Sequence, residues 1–168
     1  ADNQNQTDNI FTAKGNAEAE RSNDLLQADT IIYDTETKNV TALDEVKYFN
    51  KDITIHSDNA DYKNDLDEVN FSQAKYYFTS KDGSGKSKEI SIKNNKDVVL
   101  IDGTYTACSL DDPDWELTST TTTLFNESNR GHAYNMLLKY KNIPIMYTPF
   151  ISFPLSDKRQ SGVLTPSF

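Results

Sequence analysis

Cysteine, histidine and long apolar runs are scarce in this chain, and each scarcity excludes something. One cysteine, Cys108, rules out a framework of internal disulfides, and with only two histidines it cannot build a cysteine-based zinc site. The longest aliphatic run, Val98 to Ile101, is far too short for a membrane-spanning helix. The opening residues, ADNQNQTDN, have neither a basic start nor an apolar stretch, so no leader is expected there. No nucleophile motif, glycine-rich phosphate loop or His/Glu metal pair is found, so the expectation is a protein without cofactor or metal that is not an enzyme.

What remains is 168 residues, 36% hydrophobic and 26% charged, with a mean hydropathy of −0.70. So few apolar groups form a core only if pattern concentrates them on one face. The net charge of −9 argues against a nucleic-acid partner. It is unevenly spread: residues 1–74 hold 16 acidic and six basic side chains, and residues 75–168 hold 10 and 11. From Asn129 onward Arg130, Lys139, Lys141, Lys158 and Arg159 face Asp157 alone, so the two ends are expected to meet different surroundings.

The pattern is that of strands. Val40, Ala42, Val46 and Tyr48 share one parity and Thr41, Glu45 and Lys47 the other, although Leu43 and Phe49 interrupt the alternation. Ile53 and Ile55, Val69 and Phe71, and Ile90 and Ile92 alternate with polar residues in the same way. Turn-rich clusters separate them about every ten residues: Thr35 to Asn39, Asn50 to Asp52, Lys63 to Asp67 and Lys81 to Lys86. An offset of 29 residues superimposes Ala13 on Ala42, Leu26 on Ile55, Asp29 on Asp58, Tyr33 on Tyr62 and Val40 on Val69. Stacked hairpins that bury equivalent side chains, in a solenoid or an open jelly roll, produce such an offset.

The texture changes after Leu100. TYTAC leads to an acidic turn, Asp111, Asp112, Pro113 and Asp114, and then Trp115. Pro144, Pro149, Pro154 and Pro166 cannot donate ladder hydrogen bonds, so this tail is not a set of central strands and reads as extended, turning chain. Its apolar residues, Ile143 to Leu155, must nonetheless pack on something, and the chain reads as a piece of a longer protein.

These residues carry a family resemblance. The segment GHAYNMLLKYKNIPIMYTPFISFPLSDKRQSGVLTPSF, with TYTAC and DPDW upstream, resembles the LptD family of outer-membrane proteins that assemble lipopolysaccharide. The phrase LLQADTIIYDTETKNVTA is similar to the repeat of that family's periplasmic OstA-like domain, shared with the soluble carriers of the same pathway. The resemblance implies an all-β, open V-shaped β-jelly roll of stacked short antiparallel strands, leading through a proline-rich segment to a barrel. On that reading residues 1–14 are a flexible N-terminal segment, 15–140 the periplasmic jelly roll and 141–168 a connector and the start of the transmembrane β-barrel.

The implied function is to bind the acyl chains of lipopolysaccharide in an apolar groove and pass the lipid from a periplasmic carrier to the barrel. Burying a methylene is worth about 0.8 kcal/mol, so a chain of roughly 12 carbons gains about 10 kcal/mol of gross transfer free energy. The expected lining is Ile32, Val46, Ile53, Ile55, Val69, Phe71, Tyr76, Phe78, Ile90 and Ile92. The resemblance further implies a carrier of the same fold docked at the N-terminal edge, a lipoprotein plug in the full-length barrel, and a Gram-negative periplasmic location. It also implies a disulfide from Cys108 to the barrel and a lateral gate at Pro166, where a missing N–H weakens strand pairing. Two other readings stay open: a stand-alone β-module for protein or lipid binding, and a hydrolase using Asp111 and Asp114.

Overall fold

The structure is a computed structural model and describes residues 3–7, 9–21, 24–51, 53–79, 83–93, 97–108, 113–125 and 128–154. Among the described residues there is no helix. Eleven strands follow one another: β1 (Asn3–Thr7), β2 (Ile10–Arg21), β3 (Asp24–Asp34), β4 (Val40–Phe49), β5 (Ile53–Lys63), β6 (Glu68–Phe78), β7 (Ser84–Lys93), β8 (Asp97–Tyr105), β9 (Trp115–Phe125), β10 (Arg130–Tyr140) and β11 (Ile143–Pro154). They form one antiparallel sheet in strict chain order. The expected all-β, open jelly roll is the fold observed.

Turn chemistry sets the hairpins. After β3 the carboxylate of Asp34 accepts from the N–H groups of Glu36 (2.9 Å) and Thr37 (3.3 Å), and Lys38 closes the turn with a left-handed φ of 62°. After β4, Asn50 Oδ1 accepts from the Ile53 N–H at 2.9 Å. Lys141 (φ 48°) and Asn142 (φ 65°) make a two-residue turn whose twist suits a hairpin. Neighbouring turns also bond each other: the Asn64 N–H donates to Asn39 Oδ1 at 2.9 Å, and Thr35 Oγ1 donates to the Asn9 carbonyl at 2.9 Å.

Each even-numbered strand is broken near its middle by a left-handed residue. These are Gly15 and Asn16 in β2, Asp44 and Glu45 in β4, Gln73 in β6, Asp102 in β8 and Asn135 in β10, with φ between 48° and 78°. Short polar side chains predominate because they tolerate this region better than branched ones. The ladder skips these positions, as between Lys14 and Ala17 or Leu43 and Val46. In β2 and β4 an extra residue on one side of the ladder bends the strand, while in β6, β8 and β10 the left-handed residue interrupts pairing without a change of register; side by side they form a crease that divides the sheet into two arms. The arms face each other: Tyr48 of β4 lies beyond the crease and Phe71 of β6 before it, yet their rings stand 5.3 Å apart.

Both ends of the sequence reading need adjustment. Residues 3–7 and 10–14, expected in a flexible segment, form β1 and the start of β2, paired from Asn3↔Lys14 to Thr7↔Ile10. The stretch NQNQT has no apolar alternation, so backbone pairing alone makes it a strand. The described part of the tail, Ile143–Pro154, is a strand too, β11, and among the described strands it lies at the sheet edge, where Pro144, Pro149 and Pro154 are tolerated. Pro149 stands opposite the crease residue Asn135, in the gap between the Tyr134↔Phe150 and Met136↔Thr148 pairs.

Candidate functional site

The 29-residue offset is the width of one hairpin. Tyr33, Val40, Tyr62 and Val69 are successive cross-strand partners, and the row continues through Ile92, Val98 and Leu124 to Gly131 and Phe153. A parallel row runs from Ala13 through Ile31, Ala42, Ala60, Phe71, Ile90, Leu100, Thr122 and Ala133 to Ile151. On the other arm Ala19, Leu26, Tyr48, Ile55 and Tyr76 line up, followed by Gly85. All three rows look inward. The two arms thus present smooth aliphatic and aromatic tracks at right angles to the strands.

Over β3 to β7 the tracks pack against each other: Ala42, Ile55, Phe71 and Ile90 are wholly buried. Toward β8 to β11 the arms part around a cavity of about 310 Å³, lined on one arm by Leu100, Leu124, Ala133, Ile151 and Phe153 and on the other by Tyr76, Phe78, Tyr105, Leu117 and Met136. Its polar groups are few, chiefly Ser119 and the threonines of β9. The ring of Phe153 lies over Gly131, where an added Cβ would approach it to 2.5 Å, so glycine permits the last strand to close down on the cavity floor.

Of the ten residues expected on the inner face, Val46, Ile53, Ile55, Phe71, Tyr76, Ile90 and Ile92 are buried there, and Val69 and Phe78 are half-buried against them. Ile32 is a correction. It stands on the outer face between Thr12 and Thr41, and Ile31 takes the inward place beside Ala42. Two adjacent isoleucines leave parity undecided, and pairing with the small inward residues Ala13 and Ala42 settles it. Only Tyr76 and Phe78 of the expected set touch the cavity. Leu117 escaped sequence reading because β9 is a threonine run without alternation, and Met136 because it follows the crease residue Asn135. Ile151 and Phe153, expected to pack on something, are not legible as groove lining because β11 is punctuated by prolines.

Cys108 follows β8, half-buried, with its N–H donated to Thr106 Oγ1 at 3.0 Å. Thr106 is fully buried and its hydroxyl donates in turn to the Trp115 carbonyl at 2.7 Å, which ties the two sides of the acidic turn together. As the sole cysteine, Cys108 forms no disulfide within the chain. Pro166, Asp111 and Asp112 lie outside the described residues. Asp114 is an exposed turn residue whose carbonyl accepts from the Lys141 N–H at 2.7 Å. Among the described residues no three His, Cys, Asp or Glu side chains gather to hold a metal.

The outer face is polar over most of its width. One row places Lys47, His56, Lys75 and Lys86 directly opposite one another across β4 to β7. Partial burial against the Tyr77 ring, 5.6 Å away, and the flanking Lys47 and Lys75 hold the His56 imidazole below its ordinary pKa.

Comparison with known proteins accords with this architecture. The sequence profile of the family described as LptA/(LptD N-terminal domain) LPS transport protein matches residues 1–130. The LPS-assembly protein LptD of Paraburkholderia xenovorans (strain LB400) is 34% identical over 163 residues, covering 96% of this chain and 21% of that protein. The LptD of Burkholderia cenocepacia (strain HI2424) is 32% identical over 159 residues, 94% of this chain and 20% of that protein. That of Thiobacillus denitrificans (strain ATCC 25259 / T1) is 32% identical over 158 residues, again 94% of the chain and 22% of the relative. The chain therefore spans about a fifth of the length of these curated relatives. The chain belongs to the LptA and LptD N-terminal domain family of LPS transport proteins.

Proposed function

We propose that the inner face of this sheet carries lipopolysaccharide by its acyl chains and delivers it toward the β11 end, where a membrane β-barrel receives it. The observation that carries this reading is the run of apolar rows that cross the sheet and open into the cavity between β8 and β11. Continuous rows with few polar groups hold an acyl chain by burial while leaving it free to slide, since one methylene is exchanged for another at no net cost. A volume near 310 Å³ lies at the lower end of the range of about 300–1,000 Å³ usual for small-molecule sites. It takes a single chain as it stands, so a lipid with several acyl chains requires the arms to part.

Donation of lipid at the other end falls to β1. Among the described residues its outer edge pairs with no strand, and a soluble carrier of like fold extends the sheet there by strand addition. The family membership supports a periplasmic setting beside the outer membrane, and transport rather than chemistry.

Site-specific photo-crosslinking in cells making lipopolysaccharide tests the reading. Probes at Ile55, Phe78 and Leu117 are expected to capture lipid, and a probe at Lys47 on the outer face is not. Absence of lipid adducts at all three inner positions in folded protein returns the inner face to an ordinary packed core.

A further inference from the structure

The outer face changes character at its last two strands. Over β4 to β7 it carries rows such as Thr41, Asp61, Asn70 and Ser91. On β10 and β11 Tyr134, Tyr147 and Phe150 stand outward, 45%, 59% and 47% exposed. The rings of Phe125, His132, Phe150 and Tyr134 form a chain with centroids 5.1 to 5.4 Å apart. At the turn end Ile143 and Ile145 are exposed by more than half. The inner face of the same two strands lines the cavity with Met136, Ile151 and Phe153. Strands apolar on both faces lose stability in water unless something apolar covers each face.

Charge indicates what covers the outer one. Residues 128–154 contain Arg130, Lys139 and Lys141 and no carboxylate, in a chain of net charge −9, and the one carboxylate opposite them in the ladder is Glu116 of β9, the partner of Lys139. Tyrosines with apolar rings and polar tips, grouped with cations, are the side chains that settle at the headgroup boundary of a bilayer. We propose that the outer face of β10 and β11 rests on a bilayer with anionic headgroups. Tyr134, Tyr147 and Phe150 enter the headgroup–acyl boundary, and Lys139 and Lys141 meet lipid phosphates. The contact is separate from the interior lipid site and places the cavity end of the sheet against the membrane.

Flotation of the 168-residue chain with vesicles of phosphatidylethanolamine containing about one-quarter phosphatidylglycerol tests this, with phosphatidylcholine vesicles as the neutral comparison. Binding to the anionic vesicles is expected. Each lysine near an anionic surface is worth about 1 kcal/mol, so Lys139→Gln with Lys141→Gln lowers partitioning by roughly 25-fold. The triple variant Tyr134→Ser, Tyr147→Ser, Phe150→Ser is expected to stay in solution. Should that variant fail to fold, Tyr147→Trp in a Trp115→Phe background decides: brominated phospholipid quenches its emission, and does not quench Tyr77→Trp on the outer face of β6 in the same background. Met136→Trp, which fills the cavity, is expected to leave vesicle binding intact. Its loss would mean that vesicle lipid enters the interior, overturning the surface contact while leaving the interior reading in place. No flotation of the unaltered chain, equal binding by the triple variant, or a dimer that the triple variant dissolves would each overturn the proposal.

Discussion

The phenol of Tyr76 in β6 passes over Gly85 in β7 and donates its hydrogen bond to the backbone carbonyl of Thr104 in β8. A Cβ at Gly85 would stand 1.9 Å from that carbonyl oxygen and 2.6 Å from the phenol oxygen, so the glycine is what permits the bond. Three strands are fastened by one side chain at the mouth of the cavity. Tyr76→Phe leaves the Thr104 carbonyl without this partner and is expected to cost about 1–3 kcal/mol in urea unfolding at unchanged slope. Gly85→Ala is expected to cost more, because the β7–β8 ladder must shift. An alanine variant as stable as the parent would show that the three strands do not meet this closely.

Burial, with smaller contributions from Tyr105 and Glu116, pushes the Tyr76 phenol far above its usual range. The folded value is raised, so the stability it contributes is complete below the unfolded value near 10 and is lost as pH rises beyond it. Unfolding free energy is expected to decline above about pH 10, and the decline is expected to be shallower in Tyr76→Phe. Identical alkaline slopes would place the ionising group elsewhere.

His56 is expected to titrate below the ordinary histidine value in a proton NMR titration, because burial and the charges of Lys47 and Lys75 disfavour the imidazolium. Lys75→Gln removes one of those charges and is expected to move the midpoint upward. The folded value is lowered, so the associated stability is present above the unfolded value near 6.5 and is lost as pH falls through the folded one.

At the crease, exposed Gln73 holds a φ of 51°. A non-glycine residue in this region costs about 1–3 kcal/mol, so Gln73→Gly is expected to raise the unfolding free energy by about 1 kcal/mol. A β-branched side chain fits worse, and Gln73→Val is expected to lower it by about 1–2 kcal/mol. The reverse order would mean that the strand does not bend at this residue.

Met136→Trp places a large ring in the space between the arms. Because that space is open, thermal unfolding is expected to change by less than about 1 kcal/mol, well under the usual cost of overfilling a close-packed core. Lipid capture from a probe at Leu117 is expected to fall sharply. A large loss of stability would show the region to be as tightly packed as the surroundings of Phe71.

The architecture was legible from period-two alternation and from the 29-residue offset, because both are imposed by the same stacked hairpins. Alternation failed where the crease resets parity. In β6 the inward residues are Val69 and Phe71 before Gln73, then Ala74, Tyr76 and Phe78 after it, so odd positions give way to even ones. In β4 Leu43 interrupts the pattern because it is the last outward residue before Asp44 and Glu45 bend the strand. The cavity was the least legible part. Threonine shows a methyl or a hydroxyl according to its neighbours, so LTSTTTTL carries no sign of which face is inward, and an edge strand with three prolines reads as loop until its partner is known.

The strict chain order of the strands bears on how the protein comes into being. Every strand's ladder partners are the ones made just before and just after it, so no segment waits for a distant one to emerge. Loop closure between successive strands spans two to five residues at most steps and nine between β8 and β9, which keeps its entropic cost small. A chain released slowly from one end can therefore zip up in the order of its release, each new hairpin templated by the exposed edge of the last.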